Sequence, residues 1–508
     1  MSKFYVTTPI YYANALVHLG HAYSSTASDV LARWHRLRGD ETFFLTGTDE
    51  HGGNVEKVAR EHGVEPQAWV DRIAAEDQAL FREIGISNDD FIRTTEARHR
   101  RACDAFWRAV AAGKAPDGGP NIRKGAYEGL YCRPCEAYYA EPDLINGLCP
   151  IHKTPVETVK EETYFFRLSA WQGKLAELYA GRRAAGRPFV VPDSRANEVE
   201  GLMREGLRDV SISRSKLKWG IPVPDDPGHV IYVWFDALIN YLTAVGYPDA
   251  AAARWKYWPA DLHVVGKEII RFHAILWPAM LMAAGLELPG KIVVHGFLTV
   301  NGEKMSKTLG NFVEPRDYVT RYSLDAVRHY LLSEVGFGSD GDFSDRRFIE
   351  RYNADLANVF GNLAHRTIAM AHRYFGGSLA HPSGPSPWPE NVQEHCVKFI
   401  DEALAAPEFN VALERLWEII KTGNKYLDER APWNHADTRE ETLGQVAVLL
   451  EAVSWPLLAF MPETAAKLRE RLGLPRDRRV PLPERFTLTA GDPLFPRIDT
   501  KARPGKDS

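Results

Sequence analysis

The sequence predicts an α/β protein in which a parallel-sheet domain is interrupted by an insertion and followed by a helical bundle. Strand and helix patterns alternate in residues 4–47 and again in residues 229–300. A cysteine-containing segment, bordered by Pro/Gly-rich runs at 115–120 and 221–228, lies between these halves. After residue 345 the strand patterns fade and amphipathic helical patterns replace them.

The individual elements follow from these patterns. Residues 4–10 form an apolar, β-branched and aromatic strand pattern, a helical pattern covers about 21–37, and a second strand pattern covers 41–47. A strand, a crossover helix and a strand predict a parallel pair. The second half is predicted to contain a strand pattern near 229–242, a strand at 261–266, a helix at about 267–285 and a strand at 291–300. The bundle helices are predicted at 348–375, 391–406, 410–430 and 440–472, and the segment 379–390 is predicted to be a loop.

These elements divide the chain into five segments. They are the first half of the sheet domain at 1–115, the insertion at 116–228, the second half at 229–345, the helical domain at 346–500 and a tail at 501–508.

The composition excludes several classes of protein. With 508 residues, 45% hydrophobic and 25% charged, the chain is neither disordered nor fibrous. A net charge of −5 gives no global basic excess, so any nucleic-acid contact has to come from local patches. Five cysteines are too few for a disulfide framework in a chain of this length. The N-terminus does not resemble a targeting signal, and the apolar stretch 272–286 is too short to cross a bilayer. We therefore expect a cytoplasmic protein without a membrane partner.

Two short motifs indicate phosphate chemistry. His18 and His21 lie where the first strand pattern gives way to a helix, at the sheet edge where such folds bind ligands. A helix N-terminus attracts phosphate, imidazole N–H groups can donate to it, and Gly20 leaves room for close approach. Lys304 and Lys307 follow the strand pattern at 291–300 and can bind a polyphosphate as mobile cations.

A third motif indicates a metal. Cys132, Cys135, Cys149 and His152 have the spacing of a tetrahedral Cys₃His zinc knuckle. This ligand set leaves no open position, which favours a structural role over a catalytic one. Cys103 or an acidic residue could take the place of His152 as the fourth ligand.

Longer motifs resemble the methionyl-tRNA synthetase family of class I aminoacyl-tRNA synthetases. The class motifs are HLGH (18–21) and KMSKT (304–308), in which Leu19 and Thr308 replace the common Ile and Ser without removing a charged or donor group. The resemblance extends from about residue 4 to 500. Its other motifs are TTPIYYAN (7–14), TGTDEHG (46–52), YVWFDALINY (232–241), GKEIIRFHAILWPAML (266–281), HGFLTVNGEKMSK (295–307), GNLAHR (361–366) and KYLDERAPW (425–433).

The resemblance implies a Rossmann-like catalytic domain split by a zinc-knuckle insertion and followed by a helical anticodon-binding domain. It implies activation of L-methionine with ATP to methionyl-adenylate, then transfer to the terminal ribose of tRNA(Met). One structural Zn²⁺ per chain and Mg²⁺ with ATP are the implied cofactors. A monomer is expected, because the chain ends without the additional dimerising domain of some relatives.

The resemblance also assigns residues to each substrate. ATP is assigned to His18, Gly20, His21, Gly266, Glu268 and Lys307, with His18, His21, Lys304 and Lys307 as the catalytic set. Methionine is assigned to Ile10, Tyr12, Asp49, Trp234, Ala237, Leu238, Tyr241 and His273, an apolar and aromatic set that suits a thioether. The anticodon is assigned to Asn362, Arg366, Pro432 and Trp433.

Three alternatives remain open from the sequence. The first is a sister class I synthetase for another amino acid. The second is a tRNA-binding paralogue with an inactive site, which the intact HLGH, Asp49 and KMSK residues disfavour. The third is a small-substrate nucleotidylyltransferase, which would have no need of the helical bundle.

Overall fold

The computed structural model describes residues 2–139, 141–151, 153–300, 302–304, 313–389 and 391–499. The chain forms two units. The first comprises residues 1–17, 41–82 and 86–295, and the second comprises residues 18–40, 83–85 and 296–508.

The first unit is built on a seven-stranded sheet in which every strand pair is parallel. From one edge its strands are Tyr11–Tyr12, Glu41–Asp49, Lys3–Thr7, Leu262–Gly266, Lys291–His295 and Val190–Val191, and Asp90–Arg93 also pairs with Glu41–Asp49. The strand interiors are buried apolar runs, as a parallel sheet covered on both faces requires. The strand order reverses between Lys3–Thr7 and Leu262–Gly266. The carboxyl ends of these two strands therefore border the switch point where open α/β sheets bind ligands.

Helices surround this sheet, and one predicted helix is broken. The α-helices are Gly53–Glu61, Pro66–Glu83, Ala97–Ala112, Gln172–Ala184, Asp193–Arg204, Val233–Leu238, Asn240–Thr243 and Trp277–Ala283, with short 3₁₀ turns at Glu141–Asp143, Leu168–Trp171, Trp255–Tyr257 and Lys267–Ile269. The single helix expected at 267–285 is wrong, because a π-helical turn, Phe272–Leu276, separates the 3₁₀ turn from Trp277–Ala283. Pro278 has no N–H to donate to the Ala274 carbonyl, which accepts from the Tyr179 hydroxyl at 2.8 Å instead.

The insertion, residues 116–228, is mainly antiparallel. One sheet contains Ile122–Cys132, Ala137–Tyr139, Glu157–Phe166 and Val210–Ser211, and another contains Ser213–Arg214, Pro222–Val223 and Asp226–Ile231. The strand pattern near residue 229 therefore belongs to a small antiparallel sheet, and the parallel sheet resumes at Leu262–Gly266. The insertion also supplies Val190–Val191 as an edge strand of the parallel sheet.

The second unit joins a long first helix to a helical bundle. Its helices are Leu19–Leu37, Pro315–Tyr322, Leu324–Ser333, Asp345–Arg351, the π-helical Tyr352–Gly361, Asn362–Phe375, Val392–Ala405, Phe409–Arg430, Arg439–Phe460 and Pro462–Arg471. Its strands are Leu298–Val300, Glu303–Lys304 and Gly341–Phe343 in one sheet, and Ser378–Ala380 with Arg485–Thr487 in another.

Three further expected elements are corrected. The strand expected at 291–300 is two strands, Lys291–His295 in the parallel sheet and Leu298–Val300 in the small sheet. The helix expected at 440–472 ends at Phe460 and restarts at Pro462, because the backbone at Met461 leaves the helical region (φ −133°, ψ 68°) and a proline is suited to a first helical turn. The segment 379–390, expected to be a loop, begins within the strand Ser378–Ala380.

The helix Arg439–Phe460 lies at the centre of this bundle. Among the described helices, this is the one that is long and apolar enough to cross a membrane. Of its most apolar 18-residue window, 94% is buried inside the protein. The buried Arg328 side chain donates to the carbonyls of Ala459 and Phe460 at 3.0 and 2.8 Å. These hydrogen bonds satisfy two carbonyl groups at the C-terminus of the helix. Arg328 also pairs with Asp29 of the helix Leu19–Leu37 at 2.7 Å, so the first helix is part of this unit.

Candidate active site and supporting sites

His18 and His21 form a capping box at the start of the helix Leu19–Leu37. His18 Nδ1 accepts from the Gly20 N–H at 3.0 Å, and His21 Nδ1 accepts from the His18 N–H at 3.1 Å. The two rings are stacked with centroids 3.9 Å apart. Because each Nδ1 accepts a backbone hydrogen bond, the proton of each neutral ring lies on Nε2. Both imidazoles are therefore oriented as Nε2–H donors, a property that suits binding to phosphate oxygens.

Described residues on both sides of the second motif belong to the same unit as this helix. The strand Glu303–Lys304 pairs antiparallel with Leu298–Val300, and the Asp342 carboxylate accepts from the Gly302 N–H at 2.7 Å. After the motif, the Val313 carbonyl accepts from the Leu19 N–H at 3.2 Å. The backbone on the far side of the KMSKT motif thus contacts the HLGH helix. Lys307 lies outside the described residues, as does the side chain of Lys304.

Four of the residues assigned to methionine share one helical face in the first unit. Trp234, Ala237 and Leu238 have helical i, i+3 and i+4 spacing on Val233–Leu238, and Tyr241 follows one turn later. Ala237, Leu238 and Tyr241 are buried, whereas the Trp234 ring is partly exposed and stacks on Phe272 with centroids 3.9 Å apart. This face is apolar and aromatic, as a thioether side chain requires.

Tyr241 and His273 form a buried pair beside that face. The His273 Nδ1 lies 3.1 Å from the Ile269 carbonyl, so it carries the ring proton, and His273 Nε2 accepts from the Tyr241 hydroxyl at 2.8 Å. Burial lowers the pKa of His273 to about 4, so the ring is neutral at pH 7. The π-helical turn Phe272–Leu276 places His273 at this position.

Asp49 lies at the carboxyl end of the strand Glu41–Asp49, where the sheet register pairs it with Tyr12. Its carboxylate is buried, and among the residues that the structure describes none donates a hydrogen bond to its Oδ1. Burial raises the pKa of Asp49 well above its ordinary value, and the carboxylates of Asp236, Glu136 and Glu50 raise it further. A ligand cation at this point would supply the missing donor. Ile10, in the loop before Tyr12, is partly buried against the same core.

Gly266 ends the strand Leu262–Gly266 at the switch point of the sheet, and Glu268 lies two residues later. A Cβ atom on residue 266 would lie 2.5 Å from Glu268 Oε2, so only glycine permits this conformation of the Glu268 side chain. Within the described part of the chain, Glu268 Oε2 is buried without a hydrogen-bond donor. This acceptor is available to hydroxyl groups of a ligand.

Sequence reasoning missed a buried network behind the site. The two carboxylate oxygens of Asp236 each contact an imidazole at 2.6 Å, His51 through Nδ1 and His99 through Nε2. Burial raises the pKa of Asp236, but the two imidazoles outweigh that effect and lower the pKa to about 2. Asp236 therefore fixes the helix that carries Trp234 to the segment after Asp49. An aspartate within the apolar run VWFDALI was the available signal, because a buried carboxylate requires partners.

Three cysteines of the insertion form a candidate metal site. The Sγ atoms of Cys132, Cys135 and Cys149 all lie within 4.8 Å of one another, and those of Cys135 and Cys149 are 3.5 Å apart. Thiol groups that converge in this way fit a tetrahedral metal ion. His152 lies outside the described residues. Cys103, the alternative fourth ligand, lies instead beside His99 and Asp236, 3.3 Å from His99 Nε2, and is absent from the cysteine group in the described residues.

The residues assigned to the anticodon meet at one end of the bundle. Trp433 is among four exposed large apolar side chains in the described ranges, and it is the aromatic one. The Arg366 guanidinium lies 5.3 Å from the Trp433 ring centroid and pairs with Asp428 at 2.8 Å. Asn362 lies one helical turn before Arg366, and the Pro432 carbonyl accepts from Arg439. An exposed indole beside a guanidinium is suited to stacking with an unpaired base.

Comparisons with known proteins identify the family. A family model described as class I tRNA synthetases (M) matches residues 4–156 and 118–368. The methionine–tRNA ligase of Caldanaerobacter subterraneus is 44% identical over 516 residues, which cover 98% of this chain and 79% of that protein. The methionine–tRNA ligase of Streptomyces coelicolor is 44% identical over 532 residues, with 98% and 97% covered.

Solved structures agree with the sequence comparisons. Methionyl-tRNA synthetase of Mycobacterium tuberculosis in complex with methionyl-adenylate matches with a TM-score of 0.91 and 39% identity, covering 98% of this chain and 100% of that one. Its apo form matches with a TM-score of 0.84 and 36% identity, covering 98% and 99%. The family and fold expected from the motifs are confirmed, and the sister synthetase and nucleotidylyltransferase alternatives are excluded. The chain belongs to the methionyl-tRNA synthetase family of class I tRNA synthetases.

Proposed function

We propose that the chain activates L-methionine with ATP to methionyl-adenylate and pyrophosphate, and then transfers the methionyl group to the terminal ribose of tRNA(Met). The observation that carries the proposal is an apolar, aromatic helix face together with a buried carboxylate whose Oδ1 has no hydrogen-bond donor among the described residues. The face comprises Trp234, Ala237, Leu238 and Tyr241, and the carboxylate is that of Asp49. A methionine molecule offers a thioether to the first and an ammonium to the second.

The methionine roles follow from the chemistry of each group. We assign the ammonium to Asp49, because an adjacent cation stabilises a buried carboxylate whose pKa burial has raised. We assign the thioether to Ile10, Tyr12, Trp234, Ala237, Leu238 and Tyr241. His273 fixes the Tyr241 hydroxyl, so that this phenol presents its oxygen in one orientation. Apolar pockets discriminate weakly between near-isosteres, so we assign selectivity for the thioether to this fixed hydroxyl.

The ATP roles rest on donors and acceptors. We assign phosphate contacts to His18, Gly20, His21 and Lys307, with Lys304 assisting closure of the KMSKT loop, and adenosine contacts to Gly266 and Glu268. Attack of a carboxylate on the α-phosphate needs positioning and charge stabilisation more than a general base. Nε2–H donors and lysine ammonium groups supply that stabilisation as negative charge develops. Mg²⁺ would bind mainly through the ATP phosphates.

The remaining assignments complete the proposal. We assign anticodon recognition to Asn362, Arg366, Pro432 and Trp433, and a structural zinc ion to Cys132, Cys135, Cys149 and His152. We also expect a monomer that acts in the cytoplasm, where ribosomes consume aminoacyl-tRNA. Sedimentation velocity checks the oligomeric state, and a dimer at micromolar concentration would contradict it.

Exchange of labelled pyrophosphate into ATP, measured separately with each of the twenty amino acids, tests the proposed reaction. We expect exchange with methionine alone among the protein amino acids, followed by charging of tRNA(Met) transcripts. Exchange that depends on another amino acid, or no exchange with purified, metal-loaded protein, would refute the proposal.

Replacing Trp234 by alanine tests the methionine pocket. The methionine KM is expected to rise by about tenfold or more, because an aromatic wall of the pocket is lost. The ATP KM is expected to stay within about twofold of the wild-type value, since a change to this apolar pocket affects the methionine side chain that occupies it. Trp234→Phe is the conservative control. Pyrophosphate exchange at varied methionine and ATP gives both constants, and equal increases would contradict the assignment.

Removing the metal tests the cysteine site. In Cys149→Ala we expect loss of one zinc equivalent per chain and a lower midpoint of thermal unfolding, because structural zinc contributes directly to folding free energy. Elemental analysis and calorimetry measure the two effects. Cys396→Ala, at a buried cysteine of the bundle, is the matched control and should retain the metal. Full zinc content in Cys149→Ala would overturn the ligand assignment.

A further inference from the structure

Glu136 is a buried acidic residue that immediately follows the candidate metal ligand Cys135. It is 5% exposed, although it belongs to the turn of a small antiparallel hairpin in the insertion. Its φ of +48° lies in the left-handed region, which is uncommon for a residue with a side chain. A buried carboxylate with a left-handed backbone conformation is stable only when neighbouring groups hold it in place. The contacts of Glu136 identify those groups.

The Glu136 carboxylate accepts hydrogen bonds from the strand Tyr11–Tyr12 and from the start of the helix Gly53–Glu61. Its Oε1 accepts from the Tyr12 hydroxyl at 2.5 Å and from the Asn54 N–H at 2.8 Å. Gly52 lies against the same carboxylate, and a Cβ atom there would lie 2.7 Å from both oxygens. The φ of Gly52 is +106°, so the chain needs glycine at this position for its conformation as well as for space.

The backbone of the same hairpin makes two further contacts. The Glu136 carbonyl accepts from the Tyr232 hydroxyl at 2.7 Å, and the Arg133 carbonyl accepts from the Asn54 side-chain amide at 2.9 Å. Tyr232 is the residue before the helix Val233–Leu238. The hairpin turn therefore contacts both the loop after Asp49 and the start of the helix that carries Trp234.

The contacts of Glu136 and its hairpin involve three chain segments that contain, or directly adjoin, residues assigned to methionine. Tyr12 is itself assigned to methionine and pairs in register with Asp49. Gly52 to Asn54 continue the segment that begins at Asp49. Tyr232 leads into the apolar helix face. Glu136 contacts all three segments, but sequence places it in the metal knuckle, more than 80 residues from each of them.

We propose that Glu136 is a positioning residue for the methionine site, which holds Tyr12 and the segment Gly52–Asn54 at the start of the helix Gly53–Glu61 in the geometry that binds the amino acid. The inference rests on the proposed function. It adds that the metal knuckle takes part in amino-acid binding through this side chain and the backbone of its hairpin. The Glu136 side chain acts through Tyr12 and the backbone of the segment Gly52–Asn54, so its loss affects methionine and leaves the nucleotide largely unaffected.

Equilibrium binding of methionine, measured by titration calorimetry without ATP, tests the inference. We expect Glu136→Ala to raise the methionine Kd by about tenfold or more, because two hydrogen bonds to a buried charged group are lost. Glu136→Gln should stay within about threefold, because one amide oxygen can still accept from both Tyr12 and Asn54. Tyr12→Phe in the Glu136→Ala background should add little, since both changes remove the same contact.

A matched control separates positioning from folding. Glu157→Ala removes an exposed carboxylate of the same insertion, which pairs with Arg133 at 2.9 Å, and should leave the methionine Kd unchanged. The ATP KM, zinc content and thermal midpoint are measured for every variant. If Glu136→Ala does not fold, Glu136→Asp replaces it, because the shorter side chain cannot reach both donors.

The outcomes are distinct. A methionine Kd unchanged in Glu136→Ala, or in Glu136→Asp if that variant has to be used, overturns the inference. So does a parallel loss of methionine binding, ATP binding and zinc, which would mean that Glu136 only stabilises the fold. A wild-type protein that binds no methionine refutes the proposed function itself, and this inference with it.

Discussion

Replacing His21 by asparagine is expected to lower the rate of methionine-dependent pyrophosphate exchange by about 10²–10³-fold, the usual effect of losing one preorganised donor to a developing charge. The asparagine carbonyl can still accept from the His18 N–H, as His21 Nδ1 does at 3.1 Å, so the capping box is retained. What is lost is the Nε2–H donor. Its contribution is largest in the transition state, and we therefore expect kcat to fall while the methionine Kd is unchanged.

Two measurements separate this effect from damage to the helix. His35→Ala, on the same helix, removes an imidazole that pairs with Asp40 at 2.7 Å and should leave exchange unchanged. The thermal midpoint of His21→Asn should match the wild type. Exchange within about threefold of the wild type in His21→Asn would remove His21 from the catalytic set, because a preorganised donor to a developing charge contributes more than that.

Replacing Trp433 by alanine is expected to lower the charging of tRNA(Met) by about 10–100-fold, because stacking of one base on an aromatic ring contributes about 1–3 kcal/mol. The indole is exposed and lies beside Arg366, so its removal costs the bundle little buried contact. Pyrophosphate exchange does not require tRNA and should be unaffected.

Trp433→Phe provides the matched control, since it keeps an aromatic face and should retain most of the charging activity. Filter binding of tRNA(Met) measures affinity directly. Unchanged affinity in Trp433→Ala would show that the indole has only a structural role at the end of the helix Phe409–Arg430.

The residues that could be predicted from the sequence are those whose signal is local. His18 and His21 are three residues apart, and one capping box contains both. Cys132 and Cys135 belong to one hairpin. Trp234, Ala237 and Leu238 have the spacing of a single helical face. In each case the geometry follows from the backbone of one short segment. Spacing predicts that the histidines and the cysteines lie together, whereas the methionine residues were assigned by the resemblance to the family.

The contacts that were missed join residues that are distant in sequence. Tyr12 and Glu136 are 124 residues apart, and His51 and Asp236 are 185 residues apart. No periodicity or spacing records such pairs. The break in the helix expected at 267–285 has the same origin, because the Tyr179 hydroxyl satisfies the carbonyl that Pro278 cannot. The division of the strand expected at 291–300 was missed for another reason. An unbroken apolar run does not show at which residue the chain leaves one sheet and joins another.

The membership of the first helix in the second unit constrains how this enzyme can be shortened. The helix that begins with the HLGH motif buries Trp34, whose indole N–H donates to Asp401 of the bundle at 2.8 Å, and its Asp29 pairs with Arg328. A truncation after residue 345 would expose the apolar side of the helix Leu19–Leu37 to water. It would also remove Asp401, the hydrogen-bond partner of the Trp34 indole. A minimal fragment designed for adenylate synthesis therefore has to retain the helices Val392–Ala405 and Arg439–Phe460, although neither is assigned to either small substrate.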